Sequence, residues 1–138
     1  MGRKIRDIMT GVPVTVGPQM TVAEVARRMR DEDIGAVLVA EEGRLRGLVT
    51  DRDLVVRVLA EGGAQDRTVA DACSEELVSV GPDDEVEDAV RLVREHAVRR
   101  LPVVEEGRPV GIVSLGDLAI ERDPGSALGQ ISSAEPNQ

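Results

Sequence analysis

The chain has 138 residues, with 17 Lys plus Arg against 26 Asp plus Glu and a formal charge of −9. The hydrophobic fraction of 41% supports a core and excludes wholesale disorder, while the single cysteine excludes an intrachain disulfide. The absence of Phe, Tyr and Trp excludes base-stacking aromatic platforms, and no apolar run reaches the roughly 18 residues of a membrane span. Residues 1–6 lack the apolar stretch of a secretory signal. The expectation is a cytoplasmic protein with no nucleic-acid and no membrane partner.

The sequence repeats itself at an offset of 64 residues without a gap, as Val14, Val16, Gly17, Pro18 and Val22 meet Val78, Val80, Gly81, Pro82 and Val86. Gly43 and Arg44 meet Gly107 and Arg108, and Gly47, Val49, Asp53 and Leu54 meet Gly111, Val113, Asp117 and Leu118. This implies two similar halves: residues 1–64 with a linker, then residues 65–122. Two copies are too few for a solenoid, so the halves are expected to pack on each other around a pseudo-twofold axis.

Each half opens with an extended piece, Val14–Val16 or Val78–Val80, followed by a Gly-Pro turn. A helix follows. Thr21 and Glu24 have capping-box spacing, and Val22, Val25, Ala26 and Met29 form a helical stripe that Val86, Ala89, Val90 and Val93 repeat. A hairpin comes next, with strands at 36–39 and 48–49 and a turn near Glu42-Gly43; 101–104 and 112–113 are its copy. Pro102 has no N–H, which places it on an edge or at a strand start. Second helices are predicted near Asp51 and near Leu115. Leu54, Val55, Val58 and Leu59 supply the apolar face of the first, and Gly62 or Gly63 its C-cap. Residues 123–138 are rich in Pro, Gly, Ser, Gln and Asn, and read as a disordered tail.

The candidate chemistry is duplicated too. Gly47-Leu48-Val49-Thr50-Asp51-Arg52-Asp53 matches Gly111-Ile112-Val113-Ser114-Leu115-Gly116-Asp117. One reading is structural, with Thr50 and Ser114 as N-caps and Asp53 and Asp117 at N3. The other is a binding site: free N–H groups at the helix start take a phosphate, the hydroxyl adds a donor, and the carboxylate accepts two hydrogen bonds from a ribose diol. The two can coexist. Cys73 and His96 are the sole Cys and His, and no zinc-site spacing occurs. A metal shared between them is an alternative to a half-buried cysteine and a solvated histidine.

Two such units in tandem resemble a cystathionine-β-synthase (CBS) domain pair, over residues 5–122. Asp7-Ile8-Met9-Thr10 and the run 98–104 add to the resemblance, which is to small stand-alone bacterial members. It implies an α+β fold in which each repeat has a small mixed sheet and two helices, with two clefts between the repeats that hold AMP, ATP or S-adenosylmethionine. The implied assignment is crossed. In one cleft Asp53 takes the ribose, Thr50 and Arg52 the phosphate, and Val78, Ser79, Val80, Val98, Arg99 and Arg100 form the wall. In the other, Asp117 and Ser114 act with Val14, Thr15, Val16, Ile34, Gly35 and Ala36. Arg99 and Arg100 align with Gly35 and Ala36, so the Asp53 cleft is expected to favour anionic nucleotide.

The resemblance also implies a homodimer through helical faces. The leading functional reading is a non-catalytic ligand sensor with no obligatory cofactor, acting on a separate partner protein. The alternatives are a scaffold dimer with vestigial clefts and a metal-binding stress protein using Cys73 and His96. No set of base, nucleophile and oxyanion donor is visible, which argues against an enzyme.

Overall fold

Strand, helix and hairpin recur in both halves in the predicted order. A computed structural model of the chain describes residues 3–11, 13–63, 67–73 and 78–122; the expected tail and the end of the linker lie outside these. The elements are α1 (Ile5–Ile8), β1 (Thr10–Gly11), β2 (Thr15–Val16), α2 (Val22–Glu32), β3 (Ala36–Glu41), β4 (Arg44–Thr50) and α3 (Asp51–Asp53), which continues as a π-helix (Leu54–Leu59). A 3-10 turn (Val69–Asp71), α4 (Val86–His96), β5 (Arg100–Glu105), β6 (Arg108–Ser114) and α5 (Leu115–Arg122) complete the fold. The described residues of 13–77 with 106–109 form one compact unit, and those of 1–12, 78–105 and 110–138 the other.

In the first unit, β2 runs parallel to β3, and β3 pairs antiparallel with β4 from Ala36↔Thr50 to Glu41↔Arg44. This is a mixed sheet, as expected. Val37, Leu38 and Val39 are all buried, so β3 is a central strand covered on both faces. Glu42 and Gly43 join the strands with φ of 53° and 79°. Two positive φ values are the signature of a type I′ turn, whose twist matches the flanking strands.

Thr21 caps α2: its hydroxyl oxygen accepts the Glu24 N–H at 3.2 Å, and the same hydroxyl donates to Glu24 Oε1 at 3.1 Å. Val22, Val25 and Met29 enter a core with Val37, Val39, Val49, Leu54 and Val58. Ala26, expected in that stripe, is exposed. So are two residues of the predicted apolar face of the next helix, Val55 at 54% and Leu59 at 71%. The reason is local. Ala60 N–H reaches the Val55 carbonyl and Gly63 N–H the Val58 carbonyl, each at 2.8 Å and five residues back. Between this π-wound helix and α2 lies an open groove of about 490 Å³, lined by Ala26, Leu54, Val55, Val58 and Leu59 among others. Val55 and Leu59 therefore share the predicted face without being covered. Gly62, with φ 70°, ends the helix near the expected cap.

The second unit has the order β1-β6-β5, with β1 antiparallel to β6, so β6, the counterpart of β4, is its central strand. Its core holds Val86, Ala89, Leu101, Val103, Val113 and Leu118 around a fully buried Ile5. Val90 and Val93, the rest of the α4 stripe, are half-buried. Pro102 lies within β5, the outer strand of the order. The extended piece at Val78–Val80 meets β5 only at the parallel Val80↔Val103 bridge.

The units do not coincide with the sequence repeats. Lys4 pairs with Glu85, and Ile5 N–H donates to the Asp84 carbonyl at 2.9 Å, so the segment leading repeat one belongs with α4. Thr68 pairs with Thr21, and Val22 N–H donates to the Arg67 carbonyl at 2.8 Å, so the segment leading repeat two belongs with α2. Each lead segment supplies buried apolar side chains, Ile5 in one unit and Val69 with Ala72 in the other.

Candidate functional site

In the first unit the hairpin register sets Ala36 opposite Thr50, and Asp51 N–H donates to the Gly35 carbonyl at 3.0 Å. Leu38 N–H donates to the Val14 carbonyl at 3.0 Å. One end of the sheet thus gathers Val14 and Thr15, Ile34 to Ala36, and Thr50 to Asp53. The second unit gathers Val78 to Val80, Val98 to Arg100, and Ser114 to Asp117 in the same way, with Leu115 N–H donating to the Arg99 carbonyl at 2.7 Å. The crossed assignment drawn from the resemblance joins residues that belong to different units.

Thr50 is extended at φ −111°, ψ 164°, and caps the helix that follows. Its backbone N–H donates to Asp53 Oδ2 at 2.9 Å, and Asp53 N–H donates to Thr50 Oγ1 at 3.1 Å. Ser114 and Asp117 form the same pair at 2.9 and 3.1 Å. The structural reading of the duplicated motif is therefore realised in full.

It also leaves binding capacity. Each carboxylate is half-buried and fixed, and one backbone N–H does not exhaust its lone pairs. The Thr50 and Ser114 hydroxyls accept the N3 N–H and keep a proton to donate.

One part of the sequence reading is corrected. The helix start was expected to offer free N–H groups to a phosphate. In the first unit Asp51 N–H goes to Gly35, Arg52 N–H to Asp51 Oδ1 at 2.8 Å, and Asp53 N–H to Thr50. Local carbonyl, carboxylate and hydroxyl acceptors have taken them. The donors left open there are on side chains, the Thr50 hydroxyl and the exposed Arg52.

Arg57 is a further member of this site. Its Nε lies 3.6 Å from Asp53 Oδ1. The Asp53-x-x-x-Arg57 spacing was the available signal, because side chains four apart meet on a helix. Arg99 is exposed and Arg100 half-buried at the start of β5.

Cys73 is half-buried, with its Sγ donating to the Ala70 carbonyl at 3.5 Å, and His96 is exposed at the end of α4. Among the described residues no group of three or more His, Cys, Asp or Glu is placed to hold a metal ion. No described helix is long and apolar enough to cross a membrane.

The CBS domain matches the chain twice, over residues 5–60 and 69–122. The chain belongs to the CBS-domain family. This CBS pair is 42% identical over 132 residues to the CBS domain-containing protein YhcV of Bacillus subtilis, spanning 93% of the chain and 94% of that protein. The crystal structure of Hypoxic Response Protein I with two coordinated zinc ions is 35% identical, with a TM-score of 0.76 over 85% of this chain and 97% of that one. The CBS domain pair of protein MJ0100, in complex with 5-methylthioadenosine and S-adenosyl-L-methionine, shares the fold at a TM-score of 0.77 and 22% identity, over 86% of this chain and 94% of that one.

Proposed function

We propose that this CBS pair is a non-catalytic sensor that binds an adenosine-containing ligand of the AMP, ATP or S-adenosylmethionine class and acts on a separate partner protein. The observation that carries this reading is the duplicated hydroxyl–carboxylate pair at a strand end. Asp53 and Asp117 are each held rigid by a cap, yet each keeps acceptors for a ribose diol. In this reading Thr50 and Ser114 donate to the ligand's phosphate or equivalent group. Arg52, Arg99 and Arg100 add planar charged donors for a phosphate. Sensing requires that the ligand bind one of two states more tightly, since equal affinity shifts nothing.

The proposal includes a homodimer. Val55 and Leu59 leave the groove beside α2 open, and Val90, Val93, Leu115, Leu118 and Ala119 line its counterpart of about 330 Å³ in the second unit. The chain offers the same apolar groove at repeat-equivalent positions, a surface suited to a second copy of itself.

The test uses the missing aromatics. Protein without Trp, Tyr or Phe is nearly transparent where purines absorb. Purified protein is expected to melt at higher temperature with AMP, ATP or S-adenosylmethionine, and ligand at 100 times its dissociation constant adds about 2.7 kcal/mol. Asp53→Ala and Asp117→Ala each remove part of that shift. No shift with any of the three ligands, and no purine absorbance in the purified protein, would leave the scaffold reading in its place.

A further inference from the structure

We propose that Arg57 sets the charge class of ligand at the Asp53 site, favouring phosphorylated over uncharged adenosyl ligands. This deepens the adenosyl-binding reading and rests on it. A carboxylate that is to hold a ribose also repels the phosphate attached to that ribose. At Asp53 the remedy is built in. The Arg57 guanidinium stands beside the carboxylate, with Nε 3.6 Å from Oδ1. That separation exceeds a hydrogen bond, so the Oδ1 lone pairs stay available to a diol while the charge is offset.

Asp53 is 20% exposed and Arg57 52%, so the pair is screened less than one fully in solvent. Thr50 keeps the carboxylate in place whether or not Arg57 is there. Arg57 therefore supplies charge and leaves position to the cap.

The repeat makes the contrast. The residue equivalent to Arg57 is Glu121. Around the first motif, Asp51 and Asp53 are balanced by Arg52 and Arg57. In the second, Gly116 and Glu121 stand at the positions of Arg52 and Arg57, so neither repeat-equivalent base is present, and its nearby bases are Arg99 and Arg100 from the start of β5. The first motif thus carries on its own helix the charge offset that suits a phosphate-bearing adenosyl ligand.

The experiment is calorimetric titration of AMP and of adenosine into the full chain carrying Asp117→Ala, with Arg57 intact, as Gln and as Lys. Arg57→Gln is expected to weaken AMP about fivefold and adenosine less than about twofold, with the AMP effect shrinking as salt is raised. Arg57→Lys keeps AMP within about twofold. An unchanged ratio of AMP to adenosine affinity in Arg57→Gln overturns the proposal, as does an equal loss for both ligands, which marks a structural role. Ligand-free melting of each variant reports the fold separately. If the unsubstituted chain binds neither AMP nor adenosine, the adenosyl-binding reading itself has failed. If it binds them and Asp53→Ala abolishes binding at that site while Arg57→Gln leaves the ratio unchanged, only the role of Arg57 has failed.

Discussion

Leu38 donates its N–H to the Val14 carbonyl at 3.0 Å, while its repeat counterpart, Pro102, has no N–H to offer Val78. One missing donor explains why the first unit has a two-residue parallel strand and the second a single bridge. Leu38→Pro is expected to cost about 2 kcal/mol, because Leu38 is fully buried and the hydrogen bond is lost inside the sheet. Pro102→Leu restores a donor and is expected within about 1 kcal/mol of the parent. Urea unfolding followed by far-ultraviolet circular dichroism checks both, and equal midpoints for Leu38→Pro and the parent would refute the account.

The Thr50–Asp53 cap separates stability from binding. Thr50→Ala removes the acceptor for Asp53 N–H and is expected to cost about 1 kcal/mol. Asp53→Asn keeps an acceptor for Thr50 N–H, so its stability loss is smaller, yet it removes the charged acceptor for a diol. Unfolding and AMP titration of the two variants should rank them in opposite orders. The same order in both assays would mean that the motif is only a cap.

The hairpin turns carry a correctable strain. Glu42 and Glu106 both sit at φ 53°, where a side chain with a Cβ is disfavoured and Asn is better tolerated. Glu42→Asn with Glu106→Asn is expected to add about 1–2 kcal/mol and raise the melting temperature by several degrees. A lower melting temperature would show that the two glutamates make compensating contacts.

Leu59 is 71% exposed, so replacing it costs the folded chain little by itself. Leu59→Asp together with Val55→Asp places two charges in the groove beside α2. The double variant is expected to elute as a monomer with its circular dichroism unchanged, checked by light scattering after size exclusion. A parent and variant of equal mass would remove the homodimer from the proposed function.

Much of the fold was legible because its signals are local and occur twice. The helix cap at Thr21, the turns at Glu42-Gly43 and Glu106-Gly107, and the second-helix starts at Asp51 and Leu115 all rest on residues within a few positions of one another. What escaped leaves no mark in the spacing of residue types. Leu54, Val55, Val58 and Leu59 are spaced as on any α-helix, and nothing in that spacing signals carbonyls five residues back. The occupied N–H groups at Asp51 and Arg52 depend on a strand register and on a side-chain rotamer. The periodicity of a segment shows that Ile5 is apolar on one face; it does not show which helix that face meets.

The exchanged lead segments bear on how the chain is made. As the chain emerges from the ribosome, residues 4–11 appear well before their partners, Asp84, Glu85 and the β6 strand, and wait for them. The segment at 67–73, by contrast, meets the already synthesised Met20, Thr21 and Val22 at once. Synthesis therefore favours assembling the part of the α2 unit within residues 13–73 first, with Ile5 left exposed until α4 and β6 have followed. A gene cut at the repeat boundary would yield two halves that each carry the other's cap.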